Sequence, residues 1–211
     1  MVWVKSYDAP PVDRREILRY AGATAGDALA VELMDSCVEE LSAGLCYKVC
    51  YTELPLELSS GTVKMGNISV RSERLLKNLE GCDRVIIFAA TVGFFADRLI
   101  RRYSAVSPSR ALMLSAIGTE RVESLCDLFF EDMRAERWGQ TLRPRFSPGY
   151  GDLPLELQRD IFSLLCCEKN IGLTLNGSFL MSPTKSVTAM IGIPASINND
   201  TSTYGGKNEY T

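Results

Sequence analysis

The 211-residue sequence contains no histidine. That absence excludes a Ser-His or Cys-His nucleophile, acid–base catalysis at an imidazole, and any metal held by histidine. There is also no apolar run approaching the roughly 18 residues that a membrane-crossing helix requires. The start, Met1-Val2-Trp3-Val4, gives way at once to charged and proline-rich sequence, unlike a secretory leader. Nor does one sign of charge dominate: 23 Lys and Arg oppose 26 Asp and Glu for a net charge of −3. The basic residues are scattered, so the salt-sensitive phosphate contacts of a nucleic-acid binder are not expected. No internal repeat and no linker splits the chain. These absences together lead us to expect a soluble, cytoplasmic protein of one domain.

What is present fits that expectation. A hydrophobic fraction of 46% and a charged fraction of 23% are ordinary globular values, and the chain is long enough to bury a core. The seven cysteines are an odd number set mostly within apolar patterns, which reads as reduced, buried thiols. If Cys46 and Cys50 share one face of a strand they lie about 13 Å apart, too far for a disulfide.

Helices are expected over Asp13–Tyr20 and Asp27–Leu45, the second with Leu29, Leu33, Cys37 and Leu41 facing inward. Cys46–Leu58 alternates like a half-buried strand, with further short strands at Thr62–Met65 and Ile68–Val70 and helical composition from Arg71 to Leu79. Val85–Gly93 is continuously apolar, as a fully buried strand is, and leads into a helix at Phe94–Tyr103. Its Thr91-Val92-Gly93 end lacks the spaced glycines of a dinucleotide loop and suits a tight strand-to-helix turn. Ser107-Pro108 should cap the longest helix, running to about Arg137. Leu114, Gly118, Val122, Leu125, Phe129 and Met133 form one stripe along it, and Glu120, Glu123, Asp127 and Glu131 line a flank. That flank is either a solvated face or one turned toward a bound ammonium or sulfonium. A helix over Leu155–Cys167, with Leu157, Ile161, Leu164 and Leu165 inward, precedes strand-like segments that end at Ile193. Residues 194–211 read as a polar, flexible tail beyond a domain of residues 1–193. Helices and short strands mix without regular alternation, which is the pattern of an α+β fold.

Between the longest helix and the next lies Arg145-Phe146-Ser147-Pro148-Gly149-Tyr150-Gly151. Pro148 fixes one backbone angle and Gly149 frees another, so the turn should be stiff and closely approachable. Arg145 offers a forked cation suited to a carboxylate, and Tyr150 an apolar ring tipped with a hydroxyl. Two readings stand: a cradle for a zwitterionic small molecule, or a rigid loop whose arginine pairs with an acidic neighbour.

This turn, followed by Leu153-Pro154, a helix ending Leu164-Leu165, then Ile171–Leu175, Ser178–Pro183 and Thr184–Thr188, resembles the activation domain of cobalamin-dependent methionine synthase. Ala89–Gly93 and the Arg121–Met133 helix resemble it more loosely, and the first seventy residues only in general pattern. The resemblance implies a C-shaped α+β domain with a twisted, mainly antiparallel sheet. It implies S-adenosylmethionine in a shallow groove, with Arg145 on its carboxylate, the Ser147 backbone at the adenine end, Gly149 and Tyr150 lining the site, and Glu123 facing the amino group or sulfonium. The activity implied is reductive reactivation of cob(II)alamin. Nothing in the chain resembles homocysteine-, folate- or cobalamin-binding modules, so cobalamin would be carried by a partner, a methionine synthase or another corrinoid protein, with a flavodoxin-type electron donor. Two alternatives share the resemblance: a corrinoid-protein cap that binds no ligand, and an activator of another corrinoid methyltransferase.

Overall fold

The computed structural model describes residues 1–137 and 141–195. The apolar run falls in β5 (Cys82–Thr91), and both faces of Val85–Ala90 are fully buried. A strand apolar on both faces needs a layer on each side, and its neighbours provide the sheet between those layers. β5 pairs antiparallel with β2 (Tyr47–Ser59) on one edge, through pairs such as Thr52↔Ile87, and with β8 (Ser186–Pro194) on the other, through pairs such as Phe88↔Ala189. The sheet order is β4-β3-β2-β5-β8, with β3 (Thr62–Met65) and β4 (Ile68–Arg71) extending it beyond β2. The amino-terminal half of β2 also takes β1 (Trp3–Tyr7), again antiparallel.

One face packs on the carboxy-terminal half of α5 (Pro108–Ala135), where Val122, Leu125, Phe129 and Met133 meet Tyr51, Phe88 and Ile191. The Phe88 and Phe129 rings lie 4.8 Å apart and tilted by 45°. The other face is covered by α3 (Glu73–Asn78), α6 (Leu157–Leu165) and α7 (Cys167–Ile171). The amino-terminal half of α5 leaves the sheet and makes a second core with α1 (Arg14–Ala21), α2 (Ala28–Ser42) and α4 (Phe95–Tyr103). Every member of the expected α5 stripe is buried, so one helix serves both cores. A short hairpin of β6 (Thr174–Leu175) and β7 (Met181–Ser182) precedes β8.

Several local expectations change. In α2 the inward stripe is Met34, Cys37 and Leu41, while Leu29 is 79% exposed in the first turn. β2 is buried on both faces from Val49 to Thr52, Cys50 included, because α7 covers the side expected to meet solvent. Ser107 makes no side-chain cap, and its carbonyl instead accepts from the Ala111 amide at 3.0 Å. The helix expected over Leu155–Cys167 breaks at Cys166, which takes the left-handed conformation at φ 47° and turns the chain into α7. All seven cysteines are free, and Cys46 and Cys166 are exposed rather than buried. β8 continues to Pro194, and the tail expected beyond it lies, from residue 196 on, outside the described residues.

Candidate functional site

The segment before the turn is set against the edge of β8. The Arg143 amide donates to the Gly192 carbonyl at 2.9 Å, and Phe146 and Met190 exchange both backbone bonds at 2.9 Å. That pairing fixes alternation: Phe146 points into the core beneath the sheet, and Arg145 therefore points to the α5 side. Beyond it the chain folds on itself. The Tyr150 amide donates to the Ser147 carbonyl at 3.1 Å, and the Gly149 amide to the Leu153 carbonyl at 2.9 Å. Gly149 sits at φ +84°, where a Cβ would also press on Leu155, so glycine is needed here. Asp152 anchors the far end. Its carboxylate accepts from Ser72 Oγ at 2.6 Å and from the Glu73 amide at 2.7 Å, the start of α3. The Ser72 hydroxyl first, then the helix amides, hold the Asp152 pKa below its usual value.

Arg145 Nη2 lies 2.7 Å from Glu123 Oε2 and 3.1 Å from Asp127 Oδ1. Glu123 and Asp127 stand one helical turn apart on α5, so both reach the same guanidinium. Burial works against the Arg145 charge, but the adjacent Cys126, Glu123 and Asp127 more than offset it and the pKa is raised. Cys126 lies fully buried beneath the pair, and burial pushes its thiol up to about 12. Among the described residues, Nε and Nη1 of Arg145 have no carboxylate partner. Tyr150 is 64% exposed and stands edge-on to Phe146 at 5.4 Å. The structure therefore joins Arg145 to Glu123 on the α5 side, while Ser147, Gly149 and Tyr150 follow in the turn, with Tyr150 against Phe146.

The acidic flank does not stay together. Glu120 is buried and bonded to Arg121, and its Oε1 also accepts from the Asp13 amide at 3.0 Å and Ser124 Oγ at 2.7 Å. Arg121 in turn donates to the Pro10 and Pro11 carbonyls at 2.6 and 2.7 Å. This pair clamps the entry to α1 and leaves no charge for a ligand. Glu131 pairs with Arg134 on the same helix. Asp152 was not among the sequence candidates; its only signal is an acid just after a glycine turn, and its partners are about eighty residues away.

A model of the family "Vitamin B12 dependent methionine synthase, activation domain" matches residues 75–198, more than half of the chain. The chain belongs to that family. Its matched span runs from α3 through β5, α5 and the Arg145 turn to β8, all the elements that position this activation domain's candidate site. Among solved structures it is similar to one described as the MetH reactivation domain bound to AdoHcy. The two share 18% identity at a TM-score of 0.70, over 93% of this chain and 79% of the other. At that identity the likeness establishes the fold: mixed helices and strands on an antiparallel sheet. Among the described residues no helix is long and apolar enough to cross a membrane, and no cluster of cysteine, aspartate and glutamate could hold a metal.

Proposed function

We propose that this activation domain binds S-adenosylmethionine against the Arg145 turn and presents it to a cobalamin carried by a separate methionine synthase or other corrinoid protein. The observation that carries the reading is the Arg145–Glu123 pair at 2.7 Å. An α-amino carboxylate holds the same two charges in one molecule. Its carboxylate can take the unpaired edge of Arg145, and its ammonium or sulfonium can take Glu123 and Asp127, so the charges are matched with and without ligand. The similar solved domain, described as bound to AdoHcy, supports a ligand of this class, since AdoHcy differs from S-adenosylmethionine by the transferable methyl.

The residues present act by binding and orientation. Arg145 fixes one end of the ligand, the Ser147–Gly149 backbone offers close approach, and the exposed Tyr150 ring lines the opening. When bound, S-adenosylmethionine supplies an electrophilic methyl group for reductive reactivation of cob(II)alamin. The accompanying electron would come from a flavodoxin-type donor. No nucleophile is needed from this chain, in keeping with the absence of histidine. Calorimetric titration of the purified protein tests the reading: heat of binding is expected for the native protein and a large loss for Arg145→Ala. No heat at millimolar ligand, or an unchanged titration in the variant, overturns it.

A further inference from the structure

Helical spacing of three and four residues places Arg98, Arg101 and Arg102 on one face of α4. They border a cleft of about 810 Å³ between α4 and the end of α2, with Phe94, Asp97 and Gly44 on its other sides. Several other arginines are matched, such as Arg110 with Glu40 at 2.7 Å, Arg137 with Glu53 at 2.5 Å and Arg145 with Glu123 at 2.7 Å, while Arg15, Arg71, Arg74, Arg143 and Arg159 are unpaired among the described residues but scattered along the sequence. Among the described residues Arg98, Arg101 and Arg102 form no ion pair. Nearby carboxylates are already engaged. Asp97 accepts from the Thr184 amide at 2.7 Å and from its hydroxyl, and Glu40 holds Arg110 and the Tyr103 hydroxyl. Three arginines without an ion pair therefore line one concavity, against the single carboxylate of Asp97 in its lining, in a chain whose net charge is −3.

Two of them are held in place by rings. The Arg98 guanidinium lies 4.8 Å from the Phe95 centroid and that of Arg102 lies 5.5 Å from Tyr103. Stacking fixes the plane of a guanidinium and leaves its in-plane donors directed outward. Phe95 occupies the space that a side chain at Gly44 would need, which fixes the opposite wall. Phe94, 56% exposed, offers a free aromatic surface at the same cleft.

We propose that this cleft binds a small molecule carrying two or more phosphate groups and a planar ring, the nucleoside polyphosphate class. Guanidinium forks match phosphate oxygens two at a time, and three of them exceed what a single phosphate or carboxylate employs. The volume lies within the roughly 300–1,000 Å³ of small-molecule sites. Phe94 would stack the ring, which every nucleobase permits. The site shares no residue with the Arg145 turn and stands independently of the function proposed there.

The test is calorimetric titration of the full chain at low salt with ATP, pyrophosphate and adenosine. ATP and pyrophosphate are expected to bind, ATP more tightly, with affinity falling as salt is added. Arg101→Gln/Arg102→Gln should weaken both by about tenfold or more. Both arginines are exposed, so the melting temperature should stay at the native value. Phe94→Ala should weaken ATP alone, and Arg145→Ala should leave both unchanged. The proposal is overturned if neither ATP nor pyrophosphate gives heat at millimolar concentration. Binding that survives in Arg101→Gln/Arg102→Gln but disappears in Arg145→Ala, which would place ATP at the other site, overturns it equally.

Discussion

Arg145 and Glu123, 22 residues apart in the chain, meet at 2.7 Å and tie the segment before the turn to α5. Each residue is its partner's counter-ion and, in the proposed function, would also contact the ligand, so the two substitutions should differ. Arg145→Ala removes charge-assisted bonds worth about 1.5–3 kcal/mol, so S-adenosylmethionine affinity should fall roughly tenfold to a hundredfold. Glu123→Gln should cost about tenfold. Asp127→Asn should change affinity little, because Asp127 is 72% exposed and screened. Equal losses at all three positions in calorimetry would contradict this assignment.

The Glu120–Arg121 pair should matter for stability and not for ligand. Both side chains are 3% exposed, so Glu120→Ala leaves a buried guanidinium without its counter-charge. About 3–5 kcal/mol of destabilisation is expected in denaturant unfolding. Glu120→Gln should lose less, because its amide oxygen still accepts from Asp13. Where Glu120→Ala remains folded, its affinity for S-adenosylmethionine should match the native protein.

Lys185 sets a pH dependence. Its Nζ donates to Ser115 Oγ and Thr119 Oγ1, both at 2.9 Å, and burial lowers its pKa below the usual 10.5, with Asp97 opposing. In the window between its folded and unfolded pKa values the unfolded chain binds more protons. This lysine's contribution to stability therefore rises with pH through that window. Tyr7 and Tyr47, whose pKa values are raised, work in the opposite direction. The quantity to measure is therefore the difference between native protein and Lys185→Met. The variant's relative advantage should be larger at neutral pH and shrink as pH rises; a constant difference would show that Lys185 is not desolvated.

Thiol labelling should divide the cysteines. Cys46 and Cys166 are exposed and the other five buried. Under native conditions two cysteines per chain should label quickly, with the rest appearing only on unfolding. Cys126, with its thiol pushed up to about 12, should be among the slowest. Peptide mapping after a short alkylation decides it.

The elements written into local pattern were legible in the sequence. β5 announced itself by an unbroken apolar run, α5 by its buried stripe, and the stiff turn by Pro148 and Gly149. Arg145 and Glu123 could be named, and of the two readings of the turn the structure shows the loop arginine with an acidic neighbour, on which the proposed place for a zwitterion is built. What stayed hidden depends on contacts distant in the chain. Glu120 looked like any flank carboxylate until Asp13, 107 residues away, closed over it. Cys166 adopts a conformation usually left to glycine, so nothing local marked the end of α6. The arginines of α4 were ordinary helix residues until the end of α2 formed the facing wall.

The position of β2 bears on the boundaries of the domain. The family's recognisable span begins at residue 75, after β2, β3 and β4 have been made. β2 nevertheless pairs with β5 from Lys48 to Pro55, along most of its central neighbour. A fragment cut at the start of the recognisable span would bare that edge of β5, a row of unpaired amides and carbonyls flanked by apolar side chains. Such a fragment should self-associate, so the smallest piece able to fold is larger than the piece that family resemblance picks out.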